Sequence, residues 1–352
     1  MQDPPPDAAP PPVLLTFEGE YAKPDEKPFP LPQTCTWLGI FENTMPAQKE
    51  AWNEQDMNTA AILYPPRPAD YANPSVCAEF LLSTLEFLCP PEKEEFAPPE
   101  GEIRDVLPYQ PASNNARAEP FYLVTGLNRN VAHTLRSQPA WSTRVGTFFV
   151  LPNPVPIPSF AVSLKNLPCR PQQIGPLRTE IVQNLENNAN FINMVTAGAI
   201  DNNIDDVDAL IDATLKSVDI KHISLPRGDN ATAGFENRWN VYMKCPVPAE
   251  RHAGWIKMIQ AIHFKAKWGT GTKADPMRCT YCSGTDHQRS ICDYPAMANW
   301  LDTEDTAPQA LPGQSIAPVI AALPTQSEGS GNKNRGYKGK RRNGQGRGKA
   351  RN

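Results

Sequence analysis

The sequence has no apolar run long enough to cross a bilayer as a helix, which takes about 18 residues. The longest candidate, residues 147–164 (TFFVLPNPVPIPSFAVSL), is broken by four prolines. The opening stretch MQDPPPDAAPPP lacks the basic start and apolar core of a secretory signal. An intracellular protein, cytoplasmic or nuclear, neither secreted nor bound to a membrane, is therefore expected. A disulfide framework is also missing. Five of the eight cysteines (Cys35, Cys77, Cys89, Cys169, Cys245) are scattered singly and read as reduced thiols. Nor is there a Ser/His/Asp set, a carboxylate pair or a nucleotide loop, and GTGT at 269–272 is too short and badly placed to cradle a phosphate. Neither catalysis nor a small-molecule substrate is expected.

Acidic side chains are missing from one end only. Residues 329–352 carry nine Lys or Arg and no acid, whereas residues 1–119 carry 20 acids and seven bases, net -13. An asymmetry of this kind points to a basic arm for an anionic partner, nucleic acid first. Proline is in excess, 39 of 352, about twice the usual share. Residues 1–35, rich in proline and acids, cannot build a core and are expected to be a disordered arm.

Residues 36–110 read as a small helical region, with signals in PAQKEAWNEQDMNTAAIL and, more clearly, in NPSVCAEFLLSTLEFLCPP. In the second, Val76, Phe80, Leu81, Leu85 and Leu88 recur at helical spacing and Pro90–Pro91 stop the helix. So apolar a helix needs a partner surface, either the main body or a second copy of the chain. The body spans 120–270 and predicts an α+β fold. FYLVTGL, NRNVAHTLRS and RVGTFFVLP give a βαβ piece, either half of a second, degenerate domain or an extension of the same sheet. From 159 onward come a strand, a doubled helix, the strands IKHISL and NRWNVYMKC, a helix in PAERHAGWIKMIQAI and a last strand in HFKAKWGTG. That is the βαββαβ order of ferredoxin-like folds, including RNA-recognition domains.

The richest stretch is CTYCSGTDHQRSICDYP, residues 279–295. Cys279, Cys282, His287 and Cys292 offer three thiolates and an imidazole, a donor set that closes a tetrahedron around Zn2+. A peptide this short cannot bury a core, so one structural metal ion would supply most of its folding free energy, roughly 10–16 kcal/mol in apparent terms for small zinc peptides. A redox Cys-x-x-Cys would need a thioredoxin-like context. A zinc deaminase would need His-x-Glu on an earlier helix, where this chain has Glu250-Arg251-His252.

The spacing Cys-x2-Cys-x4-His-x4-Cys resembles the zinc knuckle of retroviral and retrotransposon Gag proteins. The resemblance implies single-stranded nucleic acid as partner, with Tyr281 stacking on an unpaired base between Arg278 and Arg289. It departs at Ser283 and Asp286, where the family usually has glycine. A knuckle can also serve as a purely structural staple in a protein-interaction or self-assembly scaffold, and that alternative stays open. VSLKNLP (162–168) resembles the first-strand motif of RNA-recognition domains, but Ser163 and Cys245 stand where base-stacking aromatics belong, leaving only Tyr242. Trp239, Trp255 and Trp268 read as core.

After the knuckle (277–295), residues 296–330 read as a flexible linker and 331–352 as a basic disordered tail. In that tail Lys333, Arg335, Lys338, Lys340, Arg341, Arg342, Arg347, Lys349 and Arg351, with Tyr337 among them, are candidate nucleic-acid contacts. A solubilising tail or an import signal around Lys338–Arg342 is the other reading. Taken together, the parts resemble the Gag-like first-frame proteins of LINE-type retrotransposons. WSTRVGTFFVLP, WNVYMKCPV and DHQRSICDYP are similar to zinc-knuckle proteins found in many copies in mushroom-forming fungi.

Overall fold

The computed structural model describes residues 11–25, 27–67, 73–113, 120–226, 235–297 and 299–302. The expectations for 1–10, for most of the 296–330 linker and for the 331–352 tail lie outside them.

The described chain is mixed α+β, with two five-stranded antiparallel sheets. The first takes β1 (Ala61–Tyr64), β2 (Asp105–Pro108), β3 (Tyr122–Thr125), β4 (Ala140–Ser142) and β5 (Thr147–Leu151), in the spatial order β2-β3-β1-β5-β4. The second takes β6 (Phe160–Lys165), β7 (Asp219–Pro226), β8 (Phe235–Tyr242), β9 (Phe264–Ala266) and β10 (Gly269–Lys273), in the order β7-β8-β6-β10-β9. Adding five to each strand number of the first order gives the second. Every neighbouring pair is antiparallel in both. The helices fall at matching places. α3 (Pro74–Leu88) joins β1 to β2 and α4 (Arg129–Leu135) joins β3 to β4. In the second sheet α5 (Ile174–Glu186), α6 (Ala189–Asp201) and α7 (Val207–Lys216) join β6 to β7, and α8 (His252–Ala261) joins β8 to β9.

The 120–151 piece is thus half of a complete unit whose other half is the 36–110 region. That region is not only helical: besides α1 (Trp37–Ile40), α2 (Pro46–Asn53) and α3 it supplies two strands. Its helical signal through AAIL fails because α2 stops at Asn53 and Ala61–Tyr64 become a central strand. All four residues of β1 are buried. A strand covered on both faces has no polar alternation to betray it. The apolar face of α3 finds its partner within the chain, packing Leu81, Leu85 and Leu88 against the first sheet, with Asn73 as N-cap. The expected single last strand is a hairpin, β9 and β10, and α6 is a helix that the two-helix reading omitted.

Alternation sorts the first sheet into two cores. Leu63, Val124, Phe148 and Val150 face α3 and α4, while Ile62, Tyr64, Leu123, Phe149 and Leu151 face the other way. The second sheet packs Val162, Leu164, Ile220, Trp239 and Val241 against α5 to α8. Trp239 and Trp255 sit in that core and Trp268 packs half-buried beside it, as expected.

The N-terminal arm corrects an expectation too. Residues 11–25 and 27–35 are not a disordered leader: Phe17, Ala22 and Phe29 are buried. Glu18 N–H donates to the Leu88 carbonyl at 3.0 Å and Ala22 N–H to the Ser142 carbonyl at 2.8 Å. The arm builds no core of its own, but its aromatics complete cores made by others, Phe17 against Trp141 at 4.9 Å and Phe29 against Trp300 at 5.6 Å.

Candidate metal centre

Local backbone chemistry shapes the loop before any ligand is considered. Cys279 N–H donates to the Gly284 carbonyl at 2.7 Å and Ser283 N–H to the Cys279 carbonyl at 3.0 Å, closing a tight turn. Within it the N–H groups of Tyr281 and Cys282 point at the Cys279 sulfur, at 3.4 and 3.5 Å. Gly284 keeps the turn tight: a Cβ there would come within 3.1 Å of the His287 ring and 3.2 Å of the Cys282 sulfur, so the ligands would have to shift by a few tenths of an ångström. Ser283 adopts φ 59°, the left-handed region that favours glycine. Ser283→Gly is accordingly expected to raise stability by up to about 1 kcal/mol, read from the denaturation midpoint of the protein. A lower midpoint would mean that the serine side chain contributes more than its backbone strain costs.

The turn brings Cys279 and Cys282 together, a 3-10 turn at Arg289–Ile291 returns Cys292, and Asp286 orients His287. The four ligand atoms lie within 4.8 Å of one another, and the Cys282 Sγ stands 3.4 Å from His287 Nε2. A tetrahedral ion with bonds of about 2.3 Å to sulfur and 2.0 Å to nitrogen holds its ligand atoms about 3.5–3.8 Å apart. The donor types therefore suit one such ion, the Cys282–His287 distance is close to that spacing, and the cluster as a whole is up to about 1 Å wider. The electrostatics agree. Hydrogen bonds from Cys282 and Cys292 push the Cys279 thiol down, while the Cys279 and Cys292 sulfurs push Cys282 up. Sulfurs packed this closely resist carrying more than one negative charge unless a cation sits among them.

The loop is not a separate module. On one side Tyr281 and Tyr294 pack edge-on to Phe149 of β5, with ring centroids at 6.2 and 4.9 Å. On the other, Asp286 lies against β8, where Tyr242 Oη donates to its Oδ2 at 2.7 Å and Asn240 Nδ2 donates to its carbonyl. The arm is clamped between them. Thr285 donates its N–H and its hydroxyl to the Gln33 carbonyl, both at 2.9 Å, and the Gln33 side chain accepts from Ser159 N–H at 2.9 Å.

This packing corrects the reading of Tyr281. Expected to stack on a base, Tyr281 is only 3% exposed. Its hydroxyl bonds Asp302 and accepts from Trp300 Nε1 at 2.8 Å, and Arg67 lies over the ring at 5.8 Å while pairing with Asp302 at 3.2 Å. The motif position identified the residue but not its direction. Burial and the Asp302 charge hold the Tyr281 hydroxyl protonated. Tyr242 is likewise buried in contacts, held protonated by burial and by Asp286. Arg278 is half-buried and Arg289 exposed, both at the rim of the loop. The tail candidates Lys333 to Arg351 lie outside the described residues. The first residues expected as linker belong to the fold, with Trp300 against Tyr294 at 5.3 Å.

Sequence reasoning missed Asp286, Asn240 and Gln33 as partners of the loop. Asp286 alone left a trace, as an acid where glycine was expected. Neither protein-family models nor curated proteins nor solved structures yield a match to this chain.

Proposed function

We propose that the protein is a non-catalytic, Gag-like binder of single-stranded RNA or DNA in which one zinc ion, held by Cys279, Cys282, His287 and Cys292, is a structural staple. The observation that carries this is the closed donor set. Four protein ligands converge on one point, so no position stays open for water or substrate. With Tyr281 packed in the core, contact with the strand falls to charge: Arg278 and Arg289 at the rim and the nine cations of residues 329–352. The strand order β7-β8-β6-β10, and its counterpart in the first sheet, support a ferredoxin-like, RNA-recognition-like reading of both units.

Ending the chain after residue 328 is expected to remove most of the affinity for labelled single-stranded RNA and to flatten its salt dependence. Each phosphate neutralised contributes about -0.7 to the logarithmic salt slope on single strands. Full-length protein that fails to bind at low salt would sink this reading. A second one, an assembly scaffold around the same staple, is favoured by the burial of Tyr281. It would take over if sedimentation showed concentration-dependent self-association without RNA binding.

A further inference from the structure

We propose that Asp286 is the positioning residue of the metal centre and that Tyr242 and Asn240 of β8 hold it in place. The proposal rests on the reading that the four-residue cluster binds zinc. Asp286 Oδ1 accepts from His287 Nδ1 at 2.7 Å. An imidazole binds a metal through a nitrogen without a proton, and the bond made by the other nitrogen decides which one that is. With its proton fixed at Nδ1, the ring presents Nε2 to the sulfurs, where Cys282 Sγ lies at 3.4 Å.

The carboxylate is itself pinned at its remaining handles. Its second oxygen accepts from Tyr242 Oη at 2.7 Å, and its backbone carbonyl accepts from Asn240 Nδ2. Asn240 is 1% exposed and the Asp286 and His287 side chains 13% and 19%, so little water competes for these bonds. A largely covered carboxylate with one oxygen on a ligand histidine and the other on a strand tyrosine makes a relay from metal to sheet. Partners of this kind typically set metal affinity by 10–100-fold. The same relay gives β8 a function that requires no base contact: its polar face supports the metal loop.

The test uses the full-length protein, with zinc affinity measured by competition against a chromophoric chelator and Co2+ absorption as a report on the ligand set. Wild-type protein must first take up one equivalent of zinc. If it does not, the zinc reading itself fails, before Asp286 is at issue. Asp286→Ala is expected to bind zinc about 10–100-fold more weakly. Asp286→Asn should recover part of that loss, because its amide oxygen still accepts from Nδ1. Tyr242→Phe, which leaves the carboxylate in place but unpinned, should show a smaller loss. Unchanged affinity in Asp286→Ala overturns the proposal, as does an Asn variant no better than Ala. If Asp286→Ala does not fold, Asp286→Asn and Tyr242→Phe decide: wild-type affinity and an unaltered Co2+ spectrum in both would overturn it.

Discussion

Removing the proposed zinc ion is expected to loosen the first sheet, not only the loop of residues 279–292. Cys279, Tyr281, Cys282, Cys292 and Tyr294 share one core with Ile62, Tyr64 and Phe149 of β1 and β5. The loop thus covers part of that sheet's second face, beside Ile40 of α1, Trp52 of α2 and Phe29 of the arm. In small zinc peptides the metal contributes roughly 10–16 kcal/mol in apparent binding terms, as much as the whole net stability of a domain, about 5–15 kcal/mol. Chelation, or Cys282→Ser, should therefore raise amide exchange across β1 and β5 and shift the fluorescence of Trp300. The helix-side core of the second sheet contains none of the loop's residues. Exchange in α5 and around Trp239 should change far less. If β1 and β5 kept their protection after chelation, the metal's influence would be confined to 279–292.

The second large effect is expected at Asp302, which no motif points to. Its side chain is 3% exposed and that of Arg67 8%, and their ion pair spans 3.2 Å. Asp302 also bonds the Tyr281 hydroxyl, and its N–H donates to Ser142 Oγ at 2.9 Å. Asp302→Ala removes the buried carboxylate that pairs with the Arg67 guanidinium, and breaking one side of such a pair costs about 3–5 kcal/mol. Replacing both, Arg67→Met with Asp302→Leu, should restore most of that, because an apolar pair of similar volume removes the desolvation cost as well. Chemical denaturation of the variants measures both. A loss below about 1 kcal/mol for Asp302→Ala would place the pair in the class of solvent-screened surface bridges.

What was legible in the sequence was local. The ligand spacing lies within 14 residues, and α3, α7, β6 and β8 carry their own periodicity and stops. What was not legible depended on distant chain. β1 is a strand because β3 and β5 flank it and both its faces are covered, so its four residues show no alternation. The arm looked coreless because Phe17 and Phe29 fill cores built by other parts of the chain, Phe17 against Trp141 and Phe29 against Trp300. Tyr281 was assigned by analogy of position. Which way a ring points is decided by what lies across from it, here Phe149, Trp300 and Arg67.

The identical wiring of the two sheets has a consequence for how the chain can change over generations. In the first sheet β1, β4 and β5 are buried along their whole length. In the second, Asp219 and Lys221 of β7 and Gly269, Thr270 and Lys273 of β10 still meet solvent. Substitutions in β1, β4 and β5 must satisfy packing on both faces, while those at the exposed positions of β7 and β10 have no such layer to satisfy. Lineages of this chain should therefore diverge faster at those exposed positions of β7 and β10 than along β1, β4 and β5.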